Sequence, residues 1–409
     1  MRGTRAPAAP AAWNALVLVS VAEFLVMALW FSASAVLPAL TREWRLAAST
    51  QAWMTIAVQL GFVLGALMSA FLNLPDIVAP WIVFAASAAI GAAVNVTIPL
   101  WVHGPEAAIP LRVLTGVCLA GVYPPGLKIM ATWFERGRGI ALGILVGALA
   151  LGSSLPHLIN VLGSADWRRT MVVASLLGVL GAVLVAARIR EGPFRAATPP
   201  FQWQYALAVW RDPALRLANF GYLGHMWELY AMWAWVPLFL LESFRVRGLA
   251  DPQRSAGLAA FAAIGIGAIG CVVAGMLADH YGRTRTTIVS MGISGACCLS
   301  VGALFGGSPA ALVVLTAVWG FTIVADSAQF SASVTELGNP AYTGTALTIQ
   351  LAVGFLLTMI SIRLLPVFVE LFGWQYAFAT LAIGPLLGSV AMWRLRARPE
   401  AFRLAGGRR

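Results

Sequence analysis

The chain has 409 residues, of which 60% are hydrophobic and only 11% charged, with a formal net charge of +11. That is too little charge to coat a soluble domain of this size, so lipid is the expected solvent. The positive balance does not point to nucleic acid, because the arginines stand singly between apolar runs and form no basic stripe.

Arg2 and Arg5 precede an apolar stretch, as in a signal peptide, but the stretch covers residues 13–37. A cleavable core is only ~7–15 residues long, so a retained first helix is expected. Apolar runs of ~20 residues, punctuated by Pro, Gly and charged clusters, predict twelve spans. They fall at 13–37, 51–72, 81–100, 107–130, 140–161, 170–187, 215–240, 258–277, 286–305, 310–335, 346–365 and 374–395. The expected organisation is all-α: an N-terminal six-helix bundle over 1–187, a cytoplasmic central loop over 188–213, and a C-terminal six-helix bundle with its tail over 214–409. Within that loop, Gln202 to Arg211 carries Trp203, Tyr205, Leu207 and Trp210 and reads as an amphipathic helix on the membrane surface.

Basic residues set the orientation. With the N-terminus inside, cytoplasmic segments hold 17 Lys and Arg against 7 on the other side, which places both termini in the cytoplasm. The expected location is a bacterial inner membrane. Cys118, Cys271, Cys297 and Cys298 all lie in apolar segments, so they read as packing residues rather than as a disulfide framework or metal site. No metal and no cofactor are expected.

Glu23, Met27 and Trp30 of the first span recur as Glu228, Met232 and Trp235 of the seventh, 205 residues later. That offset is half the chain and maps one six-helix unit onto the next in parallel, an architecture that places a substrate site between the halves near the midplane.

The loop after the eighth span reads Gly275-Met-Leu-Ala-Asp279-His-Tyr-Gly282-Arg283-Thr-Arg285. It resembles the major facilitator superfamily signature G-x-L-x-D-x-x-G-R-x-[RK]. As a conformational latch, Gly282 makes the turn, Asp279 is suited to cap a neighbouring helix, and Arg283 and Arg285 meet carboxylates or lipid phosphates. The first half keeps Gly65 and Leu67 of this pattern, but Ser69 stands where the Asp belongs and the arginines are gone; Asp76 is several residues displaced. Arg112-x-x-x-Gly116 in the fourth span also resembles a motif of the family. So does the loop from Trp133 to Gly143. The resemblance implies the superfamily fold, with spans one, four, seven and ten lining a central cavity. Gly61, Gly65, Gly143, Gly147, Gly267 and Gly270 read as close-packing positions.

Ionisable groups at membrane depth are functional candidates by default. Glu23, Arg112, His225, Glu228 and Asp326 lie well inside spans one, four, seven and ten. Glu228 and His225 are one turn apart and, with Glu23, are the expected proton-coupling groups. Arg112, Asp326, Gln329, Trp30 and Trp235 are the expected substrate-cavity residues. Three carboxylates against one arginine favour a cationic or neutral organic solute. The expected function is secondary transport by alternating access, proton-coupled, with a lean to efflux. Its partners are a small-molecule substrate, protons and membrane lipids, with no nucleic acid, and the protein is expected to be a monomer. The alternatives are uptake of a small organic anion centred on Arg112 and a solute sensor that keeps the fold without transport. An enzyme is not expected, because His225 and Glu228 alone are too few ligands for a metal and the cysteines are misplaced.

Overall fold

The computed structural model describes residues 10–72, 74–134, 138–163, 166–194, 205, 208–339 and 342–408. Outside them lie Arg2, Arg5, Arg136, Arg195, Arg409 and half of the surface helix expected at 202–211, as do the side chains of Asp76 and Arg138.

Twelve spans form, and no strand occurs among the described residues. Span 1 comprises Pro10–Met27, Ser32–Ala35 and Leu37–Trp44; span 2 is Ala48–Phe71 and span 3 Pro80–Trp101. Span 4 comprises Pro105–Leu119 and Tyr123–Trp133; spans 5 and 6 are Arg138–Leu162 and Trp167–Arg188. Span 7 is Pro213–Arg247, span 8 comprises Pro252–Gly265 and Gly267–Tyr281, and span 9 is Arg283–Ser300. Span 10 comprises Pro309–Ile323 and Ser327–Leu337, span 11 is Thr343–Phe372, and span 12 ends in Ile383–Arg396. Eleven of these helices are long and apolar enough to cross a bilayer. Span 7 is the twelfth: its 35 residues carry His225 and Glu228, both buried.

An even number of spans puts both termini on one face, called here the terminal face. Many exposed side chains at span depth are large and apolar, among them Leu100, Trp101, Leu180, Val314 and Leu386, as a lipid-facing surface requires. Polar groups turn inward instead.

The halves meet along spans 2 and 11 and along spans 5 and 8. Gly143 and Gly147 permit the approach of span 5 to span 8, while Gly61 and Gly65 (against span 4) and Gly267 and Gly270 (against span 10) close the packing within each half. A Cβ at any of Gly61, Gly65, Gly143, Gly147, Gly267 and Gly270 would sit 1.9–3.1 Å from an atom of another span, as close packing anticipated. Gly61 is the tightest of these, at 1.9 Å from the Val113 carbonyl oxygen of span 4. Gly61→Ala is therefore expected to push spans 2 and 4 apart and to cost about 1–3 kcal/mol. A thermal melt in detergent checks this, as a drop in midpoint relative to the parent protein.

Candidate functional site

Three spans lose helical regularity over three or more residues inside the membrane: span 1 over 28–31, span 4 over 120–122 and span 10 over 324–326; span 8 is interrupted at Ile266 alone. Span 4 restarts at Tyr123-Pro124-Pro125, where two prolines lack the N–H that a continuing helix needs. Span 1 has no Pro or Gly at its break. Its freed carbonyls are instead taken by Arg112.

Arg112 is completely buried. Its Nη1 donates to the Leu29 carbonyl at 2.9 Å, to Ser32 Oγ at 3.1 Å and to Asn95 Oδ1 at 3.1 Å. Its Nη2 donates to the Trp30 carbonyl, and Nε reaches the Met54 carbonyl at 3.4 Å. Asn95 in turn donates to Ser175 Oγ at 2.9 Å. One guanidinium thus ties spans 1, 2, 3 and 4 together, and through Asn95 it reaches span 6. A planar fork with five donors suits this task; a lysine does not. The expected pairing of Arg112 with a carboxylate or an anion gives way to bonds with neutral oxygens.

The break turns Trp30 toward the middle of the molecule. Its ring lies 5.8 Å from Tyr230, 5.6 Å from Phe355 and 5.0 Å from Phe62. Phe62 and Phe355 meet at 4.6 Å across the halves. On the terminal side of this cluster is a cavity of about 40 Å³, room for about two waters. Tyr123, Tyr222, Met226, Ser327 and Ser331 complete its wall. Among the described residues that line it, none is charged. The indole Nε1 of Trp30 and that of Trp233 both belong to lining residues and have no hydrogen-bond partner among the described residues.

The expected cavity residues divide accordingly. Trp30 lines the cavity. Trp235 does not: it donates from Nε1 to the Ile362 carbonyl at 3.0 Å, pinning span 7 to span 11. Span 7 runs unbroken through the matching region, so the repeat-related tryptophans part company at the break in span 1. Trp233 lines the cavity in place of Trp235. Asp326 lies one layer behind the wall, its Oδ1 2.9 Å from His225 Nδ1, with both side chains buried. Gln329 faces the terminal face, where it accepts from Arg283 at 2.7 Å.

His225 therefore pairs with Asp326 rather than with Glu228. Glu228 points into the core of the second half. Its Oε1 accepts from Trp319 Nε1 at 2.5 Å and Cys298 Sγ at 2.9 Å, and its Oε2 accepts from Ser294 Oγ at 2.9 Å. Glu23 is fully buried near Gly126 and Phe84, and neither of its oxygens finds a donor among the described residues. The three intramembrane carboxylates that suggested selection of cations all stand off the cavity surface.

On the terminal face the signature loop, expected to act as a latch, packs against the end of span 10 and the tail. Gly282 turns the chain at φ +97°, a conformation that glycine adopts without strain. Arg283 donates to both oxygens of Glu336, at 2.7–3.0 Å. Asp279 caps no helix. It stands 3.5 Å from Arg283, and its carbonyl accepts from Arg408 of the tail. Arg285 is exposed, while Gly275 is buried in span 8. Glu336 also accepts from the Ala405 amide at 2.9 Å, so the tail, span 10 and the latch form one unit.

The family model for the Major Facilitator Superfamily matches residues 19–361 and 254–409. The chain belongs to this superfamily. It is 24% identical over 259 residues to the MFS transporter asaE of Aspergillus flavus, covering 59% of this chain and 55% of that protein. It is also 24% identical over 281 residues to the Gallate transporter of Pseudomonas putida, covering 60% of this chain and 61% of that protein. The chain thus spans less than two thirds of the length of these curated relatives. Its fold is similar to that of the nucleoside transporter NupG, as seen in the crystal structure of a point mutant. The TM-score is 0.70 at 15% identity, over 93% of this chain and all of that one. The facilitator fold follows.

Within this facilitator the residues that inspection of the sequence passes over are the cavity aromatics Phe62, Tyr222, Tyr230 and Phe355, the latch partner Glu336, and His157. Their one visible signal was rarity: Tyr123, Tyr222 and Tyr230 are three of only seven tyrosines, and all lie at membrane depth. If Trp30 stacks on the solute and Trp235 only packs, Trp30→Ala should weaken solute binding roughly tenfold, about 1.4 kcal/mol. Trp235→Phe should leave the affinity unchanged. Titration calorimetry on both variants checks the contrast.

Proposed function

We propose that this transporter moves a flat aromatic solute carrying hydrogen-bond acceptors, by proton-coupled alternating access. One observation carries the reading: Trp30 and Trp233, whose indole donors have no partner among the described residues, line an uncharged aromatic cavity between the halves. Rings give stacking surface, and the indole N–H groups give polarity only where a solute acceptor arrives. The absence of a charge in the described wall favours an uncharged solute over a cation. A solute of that kind crosses lipid unaided, so active transport serves chiefly to expel it; proton antiport is the matching direction. Both termini then lie in the cytoplasm of a bacterial plasma membrane, and a single chain, in contact with lipid alone, suffices as the working unit.

The proposed proton carriers are His225 with Asp326 just behind the cavity wall, Glu228 one turn further in the second half, and Glu23 in the first. Filling the cavity moves span 7 against span 10, and the His225–Asp326 contact lies on that seam. Opening at the span 1 break brings water to Glu23 and makes its carboxyl accessible to proton exchange. Arg112 acts through backbone, not through solute, because its donors are already engaged. Uptake of an organic anion centred on Arg112 would have to break those bonds.

The test is a panel of aromatic solutes, gallate and a nucleoside among them, in proteoliposomes. His225→Gln and Glu228→Gln are expected to lose accumulation driven by a pH gradient while retaining counterflow. Wild-type gradient-driven accumulation in His225→Gln, Glu228→Gln and Glu23→Gln alike would rule the coupling out. Binding without counterflow in the parent protein would point to a sensor.

A further inference from the structure

On the face opposite the termini, a second and smaller cavity of about 30 Å³ lies between the halves. His157 of span 5 lines it, 2% exposed, and its Nε2 has no hydrogen-bond partner among the described residues. Around it stand Ser34 of span 1, Asn160 of span 5, Pro237 and Leu241 of span 7, and Gln253 of span 8. Asn160 is already engaged, donating to the Ala35 carbonyl at 3.3 Å and accepting from Thr170. The seam is shut here: a Cβ on Gly257 would lie 2.4 Å from Val161.

The charged groups of the elements packed around His157 are accounted for elsewhere. Glu43, at the end of span 1, pairs with Arg168 at 2.6 Å, and Glu242 of span 7 pairs with Arg245 at 2.7 Å. Asp251 accepts from the Arg254 amide at the start of span 8. Arg42, Arg45, Arg169, Arg247 and Arg254 are exposed on the same face. None of these lines the cavity.

We propose that His157 is the proton-sensitive gate of the opposite face: neutral it seals the seam between spans 5, 7 and 8, and protonated it opens that seam. An imidazolium there has no carboxylate partner among the lining residues, and burying an unpaired charge is costly. Separation of the halves hydrates the charge, so proton binding favours the state open to that face. This rests on the proton-coupled reading above and adds a site to it. Protons arriving from the opposite side then bias the transporter toward facing them.

The test uses the full chain in lipid nanodiscs with spin labels at Arg42→Cys and Arg254→Cys, both exposed and on opposite halves; the four native cysteines are buried. Lowering the pH from about 8 to about 5 spans histidine titration. The parent protein is expected to gain a longer-distance population by electron–electron resonance, and His157→Gln to stay at the short distance at both values. If the Gln variant does not fold, His157→Phe takes its place with the same expectation. No distance change in the parent protein, or a parent-like shift in the variant, overturns the proposal. His225→Gln separates the two ideas: it should keep the shift while losing gradient-driven transport. A shift lost only in His225→Gln would leave the coupling standing and remove the role of His157.

Discussion

The interaction on which the rest depends is the buried guanidinium of Arg112 across the break in span 1. A transmembrane helix that opens mid-membrane exposes carbonyls, and in a medium without water each unsatisfied group costs several kcal/mol. Arg112 meets the Leu29 and Trp30 carbonyls from span 4, and Asn95 orients it from span 3. The break lets Trp30 leave the register that span 7 keeps for Trp235. Through it the halves acquire their shared aromatic cluster, and the cavity lies directly beneath. Remove the guanidinium and a regular helix is the cheaper state for span 1.

This arrangement separates two jobs that a water-soluble enzyme usually combines at one surface. The cavity wall is aromatic and uncharged, so it recognises shape and a few acceptors. The ionisable groups sit one layer back: tryptophan, cysteine and serine donors hold Glu228, His225 faces Asp326, and Arg112 is spent on backbone carbonyls. His225 and Asp326 are nearest, sharing a seam with the wall. In the proposed cycle a solute is felt by the protonatable groups through helix displacement rather than through contact, which suits alternating access around a closed site. On the terminal face Glu336 holds Arg283 and the tail amide together, which ties the ends of spans 9 and 10 to the tail.

Much of the fold was legible in the sequence, because a span is a one-dimensional property of composition. The ends of span 3, expected at 81–100, fall at Pro80–Trp101, and span 9, expected at 286–305, runs from Arg283 to Ser300 and on through a 3-10 turn to Leu304. The site was less legible. Glu23, Arg112, His225, Glu228 and Asp326 do sit on spans 1, 4, 7 and 10, but an apolar helix buried on several faces gives no amphipathic stripe to say where each side chain points. His225 and Glu228 are three residues apart, yet one meets span 10 and the other span 9 as well. The span 1 break had no local signal at all, since its cause lies some eighty residues away at Arg112. The tyrosines and Glu336 went unremarked because neither is unusual until its neighbours are known.

The most direct test of this account is hydrogen–deuterium exchange over residues 24–36 in the parent protein and in Arg112→Met. With the guanidinium gone, exchange through the break is expected to change strongly while the stretch 225–236 of span 7 keeps its protection. An unchanged pattern over 24–36 would mean that span 1 holds its break without Arg112, and the account built on that contact would be wrong.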